Sequence, residues 1–326
     1  TPVTPRRQRQ MCIRDRAEVS IVMENCPDAR CYFMVPVSQR GETGEAYHDH
    51  GVRHFMVDHA SGLERLASEL PLEHCVVFAR MAVSHGAAVM DLSAKFGAAP
   101  RDVPELMRLI RQAGAEAALA FNVGSLVTRT DAYAHALEVA RSVLEQCEQP
   151  PRLLDIGGGY PRRYPGFDVP ALEQYIDTIT KHVKGLRLAD NAELMTEPGR
   201  ALAGPGLSAI VEVLQRRDQR IYLNDGMYGI FWELRFKGHQ RFAVRAWREG
   251  NPLNEAMQDF TLFGPTCDSS DVLPATVPLP VDIREGDYLE FGRLGAYSLS
   301  GRTDFNGLHS DRLVKITGAG QTPPGD

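Results

Sequence analysis

The sequence predicts an α/β barrel followed by a separate β domain, and three observations carry that expectation. Between Ala17 and about Gly206, six short apolar runs (CYFMVPV, HFMVDH, CVVFARMAV, AALAFNVGS, RLLDIGGG and AELMTEPGR) alternate with stretches that include clear helical patterns. Strand, helix, strand at this spacing marks parallel βα units. Several of the runs close on a glycine or polar residue, as barrel strands do at the face where chemistry gathers. Beyond Gly206 the pattern changes to short alternating or β-branched runs parted by Gly, Pro and Asn. A doubly wound sheet is the other arrangement open to the first part.

Taken in order, Thr1 to Arg16 has no apolar period and is rich in Arg, Pro and Gln, so residues 1–16 are expected to be a leader outside the fold. Met11 to Arg16 also reads as the translation of a sequencing adapter, ATG TGT ATA AGA GAC AG, which implies a non-native start; a basic disordered arm is the alternative. Residues 17–205 form the barrel segment, with helices clearest in VPELMRLIRQAGA and AYAHALEVARSVLEQC. Residues 206–319 form the β domain, with strands expected in LSAIVEVLQRRDQRIYLNDG, RFAVRAW, FTLFGP, VDIREGDYLEFG and RLVKIT, and 320–326 are a tail.

The chain has 326 residues, enough for two domains with a sizeable core. Its net charge of -6 argues against nucleic acid or an anionic membrane as a partner, because those call for clustered cations. The partner expected is a small molecule. The six cysteines, Cys12, Cys26, Cys31, Cys75, Cys147 and Cys267, show neither metal-ligand pairs nor the density of a secreted scaffold, which fits a reducing cytoplasm. No apolar run approaches the roughly 20 residues that span a bilayer. His48, His50, His54 and His59 lie close in sequence, but His54 and His59 flank an apolar strand, so they are not expected to converge on a metal.

Four segments carry the chemistry. Gly157, Gly158 and Gly159 follow the apolar run Leu153 to Ile156, where absent Cβ atoms let backbone N–H groups approach a phosphate; a ligand-free tight turn is the competing reading. Glu197 and Arg200 in TEPGRAL put an acid and a cation near a strand end, suited to a pyridine nitrogen and a phosphate, or else to a surface ion pair. Cys267 and Asp268 in GPTCDSSD put a thiol beside an acid, suited to proton transfer and to an ammonium group; a structural cysteine is the plainer alternative. Tyr297 in GRLGAYSLS offers a phenol to a phosphate or to an interface. Asp225 in LNDGMYG sits in an Asp-Gly turn.

These motifs in this order resemble the fold-type III, alanine racemase-like pyridoxal phosphate decarboxylases that act on ornithine, lysine, arginine and diaminopimelate. The resemblance spans about Ala17 to Thr317 and rests on LDIGGGYP, EPGRAL, GPTCDSSD, GDYLEFGRLGAYS and FNG. CDSSD looks more like the ornithine/lysine branch. The resemblance implies a (β/α)8 barrel of the TIM type with pyridoxal 5'-phosphate as cofactor. Ser125, Gly157, Gly158, Gly159, Arg200 and Tyr297 would hold its phosphate, and Glu197 would pair with the pyridinium nitrogen. Cys267 would return a proton to carbon after decarboxylation, and Asp268, with Asp225, would bind the substrate. It also implies a head-to-tail homodimer with shared active sites, working in polyamine biosynthesis.

Three departures from the family pattern follow. The Schiff-base lysine belongs to an AVKxN-type segment on an early strand, and none of Lys95, Lys181, Lys184, Lys237 or Lys315 lies in one. Ala17 to Met34 resembles the helix and strand after that segment, so the barrel is expected to be incomplete, lacking its first strands, and the chain inactive as it stands. Asn122 replaces the histidine that stacks on the cofactor ring. Lys237 stands where ornithine enzymes have a second acid. A non-catalytic regulatory homologue of ornithine decarboxylase is the alternative, and a racemase of the same fold a third reading.

Overall fold

The computed structural model describes residues 10–13, 15–235 and 242–316. It divides into two compact units, residues 1–159 with 170–198, and residues 160–169 with 199–326. The last crossing between them lies at Pro198/Gly199.

The first unit runs β1 (Gln10–Ile13), α1 (Arg16–Asn25), β2 (Arg30–Phe33), α2 (Glu42–His48), β3 (His54–Val57), α3 (Ala60–Glu69), β4 (Val76–Met81), β5 (Ala88–Met90), α4 (Val103–Gln112), β6 (Glu116–Phe121), β7 (Ser125–Val127), α5 (Asp131–Gln146), β8 (Leu153–Asp155), α6 (Leu172–Val183) and β9 (Glu193–Met195). Seven strands form one parallel sheet in the order β1-β2-β3-β4-β6-β8-β9, an open arc of a (β/α) barrel. β5 and β7 pair separately, antiparallel. Strand order follows chain order because each helix returns the chain to the next parallel position.

The periodicities account for the layers. On α4, Val103, Leu106, Met107 and Ile110 fall at i, i+3, i+4 and i+7 and are all buried. On α5, Ala132, Tyr133, Ala136, Leu137, Ala140, Val143 and Leu144 make the same stripe, with alanines where the helix comes close to its neighbours. Tyr32, Met34, Met56, Phe78, Ala118, Ala120 and Met195 form one core cluster drawn from the sheet and its strand ends. β1 falls inside the stretch expected to be a leader. A parallel ladder is made of main-chain groups, so an edge strand can add to a sheet without an alternating side-chain pattern.

The second unit runs α7 (Gly199–Ala203), β10 (Ala209–Arg217), β11 (Arg220–Leu223), β12 (Val244–Arg248), β13 (Asn251–Pro252), β14 (Met257–Phe263), β15 (Val277–Pro280) and β16 (Tyr288–Phe291). Its sheet has the order β13-β12-β16-β10-β11-β14-β15, antiparallel except for β11 beside β14. The expected strand RLVKIT does not form over its described residues: 312–316 have no strand, and Leu313, Val314 and Ile316 are exposed. An apolar pattern alone supplies no ladder partner.

Candidate active site

In the first unit, β8 ends at Asp155 and delivers the chain into Ile156 and the three glycines. A Cβ on Gly157 would lie 2.3 Å from the Phe121 carbonyl oxygen, and one on Gly158 would lie 2.6 Å from that of Glu197. Only glycine lets the loop lie this close to the ends of β6 and β9. The carbonyls are all engaged: Gly157 accepts from the Glu197 N–H and the Thr196 hydroxyl, both at 2.9 Å, Gly158 from the Tyr133 hydroxyl at 2.8 Å, and Gly159 from the Val127 N–H at 3.0 Å. The Gly157 N–H donates to Asp155 at 2.9 Å. Among the described residues no acceptor takes the N–H of Gly158 or Gly159. Two backbone donors on a loop with its carbonyls turned to the protein fit a bound phosphate.

Beside this loop lie four charged side chains, Arg80 and Asp155 on β4 and β8, and Asp58 and Glu197 just past the ends of β3 and β9. Asp155 is 1 % exposed, and burial first and Glu197 second push its carboxyl well above the usual carboxylate range, against the Gly157 hydrogen bond and Arg80. Arg80, on β4, is pushed below its ordinary value by burial, which Glu197, Asp58 and Asp155 oppose. Asp58 accepts the Gly97 N–H at 2.9 Å. Glu197 is half-buried beside the glycines, its own backbone clasped to Gly157. An acid at such a place can accept a proton-bearing ring nitrogen. Asn122, at the end of β6, uses its amide oxygen to accept the Gly124 N–H at 2.9 Å, so it builds its own turn. Ser125 opens β7 and is half-buried.

In the second unit, Arg200 on α7 is 4 % exposed and forms a buried ion pair with Glu233, and its Nη1 donates to the Tyr164 hydroxyl at 3.3 Å. Burial works against its charge, but Glu233 and then Tyr164 hold the guanidinium above its ordinary value. The Tyr297 ring lies 4.9 Å from the Arg200 Cζ. Gly295 makes that approach possible, since a Cβ there would lie 1.8 Å from the Ala203 carbonyl oxygen. The tyrosine itself sits at φ 59, an uncommon value for a bulky residue.

The Cys267 loop is assembled by side chains far apart in sequence. Asp271 is 2 % exposed; its Oδ1 accepts the Met227 N–H at 2.7 Å, and its Oδ2 accepts the Thr266 hydroxyl at 2.7 Å and N–H at 3.1 Å. Cys267 is exposed, its Sγ 3.5 Å from Asn306 Oδ1. Asp268 accepts the Tyr228 hydroxyl and the Ser270 N–H, and these, with a smaller contribution from Arg235, hold its carboxyl below the usual carboxylate range. Tyr228 stacks on Phe305 with centroids 4.4 Å apart. Asp225, expected to touch substrate, is 5 % exposed and accepts the N–H of Gly226 at 2.8 Å and of Ile230 at 3.0 Å. In this structure it holds the 225–230 turn.

Motif reading missed Asp58, Arg80, Asp155, Tyr228, Glu233, Arg235, Asp271 and Asn306. Asp155, Tyr228, Asp271 and Asn306 stand inside the motifs and were readable as polar residues in them; Asp58 and Arg80 lie in the apolar runs, and Glu233 and Arg235 carry no local signal. Lys95, Lys181, Lys184 and Lys315 are exposed and lie on no strand, and Lys237 lies outside the described residues. The histidines separate: His54 packs on Tyr32 with ring centroids 4.2 Å apart, while His59 accepts the Ser61 N–H at the start of α3. Among the described residues no helix is long and apolar enough to cross a membrane.

The pyridoxal binding domain of the pyridoxal-dependent decarboxylases matches residues 13–204, and the C-terminal sheet domain of that family matches residues 202–295. The chain belongs to the pyridoxal-dependent decarboxylases. Pyridoxal phosphate is the cofactor of the family. Among curated relatives, the decarboxylase flvG of Aspergillus flavus is 30% identical over 91% of this chain and 72% of its own length. A lysine/ornithine decarboxylase of Selenomonas ruminantium is 32% identical over 80% of this chain and 66% of its own, and antizyme inhibitor 2 of Xenopus laevis is 27% identical over 79% and 60%. The arginine decarboxylase of Paramecium bursaria Chlorella virus superposes with a TM-score of 0.81 at 25% identity, covering 92% of this chain and 81% of its own. These likenesses establish the fold-type III architecture, a barrel with a C-terminal β domain.

Proposed function

We propose that this chain is the larger part of a cytoplasmic, homodimeric decarboxylase of a basic amino acid, of ornithine or lysine type, that supplies polyamine precursors. When bound, the pyridine ring of the cofactor takes up the electron pair left as carbon dioxide departs. The observation that carries the reading is the glycine loop: carbonyls engaged, Gly158 and Gly159 N–H groups available, and Glu197 fastened to it. Gly157, Gly158 and Gly159 would hold the phosphate, aided by Ser125, and Asn122 would shape the adjoining turn. Arg200 and Tyr297 are proposed to add a cation and a phenol to the phosphate, with Glu233 setting how much of the Arg200 charge is available. Glu197 would accept a hydrogen bond from the ring nitrogen and so keep it protonated.

Cys267, exposed beside Asn306, would deliver a proton to the carbon that loses carbon dioxide. Asp268 would receive the side-chain ammonium of the substrate, since the Tyr228 and Ser270 hydrogen bonds favour its charged form. Because the chain spans 66% of the length of the lysine/ornithine decarboxylase it matches, turnover is assigned to the whole protein. The chain by itself is expected to be inactive, for want of a lysine on a strand of the first unit. The test is carbon dioxide release from lysine, ornithine and arginine by the whole protein supplied with pyridoxal phosphate. Release from at least one is expected; release from none would overturn the reading in favour of a non-catalytic regulatory homologue, a class in which antizyme inhibitor 2 provides the precedent among similar chains.

A further inference from the structure

Asp268 meets a fixed positive charge within its own unit. Its carboxylate accepts the Tyr228 hydroxyl, and the Arg235 guanidinium lies over the Tyr228 ring, 3.9 Å from Cζ to the centroid. Arg235 is tethered there, its Nε donating to the Met227 carbonyl at 2.9 Å. The same turn is braced by Asp271 through the Met227 N–H, so the cation is held near the acid by main chain as well as by the ring. A ligand ammonium approaching Asp268 is therefore attracted by one charge and repelled by another, whereas an uncharged group of the same length meets no such opposition. Among the described residues, the Asp268 side chain's hydrogen-bond partners, Tyr228 and Ser270, are neutral donors.

Resting on the reading that Asp268 receives the side-chain end of the substrate, we propose that Arg235 is a specificity-determining residue that narrows the preference for a side-chain ammonium, so that amino acids with uncharged side-chain ends of similar length are accepted as well. Arg235 is exposed and outside the sheet, and unfolding of each variant checks that its replacement leaves the fold intact. The experiment is calorimetric titration of the chain at low salt with pentane-1,5-diamine and with pentane-1,5-diol, which is of the same length and uncharged, giving a ratio of the two affinities. In the unaltered chain the diamine is expected to be favoured by no more than about threefold. Arg235→Gln is expected to raise the ratio by about tenfold, and Arg235→Lys, which keeps the charge, to leave it within about twofold of the starting value. A ratio that Arg235→Gln raises by less than about threefold overturns the proposal. Asp268→Asn separates the two levels: if it leaves diamine affinity unchanged, the reading of Asp268 fails and the proposal with it. If it weakens diamine binding while Arg235→Gln does not strengthen it, Arg235 alone loses its role.

Discussion

The two units treat charge in opposite ways. In the first, burial outweighs the partners of its buried charged groups: Asp155 is pushed up, Arg80 is pushed down, and His54 is pushed down to about 4. In the second, cations are matched to acids: Arg200 to Glu233, and Arg248 to both Asp287 and Asp282 at 2.8 Å, with both guanidiniums held above their ordinary values. The difference teaches where a charged ligand finds open valence. Beside the glycine loop, fields are left for a phosphate and a ring nitrogen to complete, while in the second unit Arg200 and Arg248 are already matched by acids and Asp268 stands half-buried on its loop.

The largest effect that can break this contrast comes from the matched side. Glu233→Gln leaves the Arg200 guanidinium buried and uncompensated, which is expected to cost about 3–5 kcal/mol of stability. Urea unfolding of the chain and its variant measures this, and a loss below about 1 kcal/mol would mean that the pair is not the buried, matched one described here.

A smaller effect sharpens the other side. His54 has its folded pKa lowered to about 4 from 6.5, through burial first and Arg30 second. As pH falls, the unfolded chain takes up the proton before the folded one does. Stability from this residue is therefore complete above about 6.5, declines as pH falls towards about 4, and is level below. Allowing for partial exposure, about 2 kcal/mol is at stake. Unfolding followed between pH 7 and pH 4.5 should show that decline, and His54→Phe should flatten it; an unchanged slope in the variant would assign the decline to other groups.

How much of this was legible in the sequence depends on what each feature is made of. The glycine loop was readable because a run of three glycines after an apolar strand reports a backbone requirement directly, and Glu197 because it stands in a fixed motif a few residues from the next strand end. Arg80, Glu233 and Arg235 were not, since their meaning lies in charged partners more than 20 residues away for two of them, and in a ring seven residues back for the third, contacts that no local period encodes. Asp225 was readable as a turn residue, and its carboxylate accepts the Gly226 and Ile230 N–H groups. β1 escaped because an edge strand is held through its main chain, and RLVKIT misled because its composition matched a strand that has no neighbour to pair with.

The most direct measurement of the central claim, that Gly157 to Gly159 and Glu197 form the phosphate and ring-nitrogen end of a cofactor site, is binding of pyridoxamine 5'-phosphate to the chain. That probe brings its own amine and does not depend on a lysine. Saturable binding, displaced by inorganic phosphate and weakened by about tenfold or more in a folded Gly158→Ala variant, is the predicted result, because the added methyl would lie 2.6 Å from the Glu197 carbonyl oxygen and push the loop out of place. Binding of equal strength in both proteins, or binding indifferent to phosphate, would contradict it.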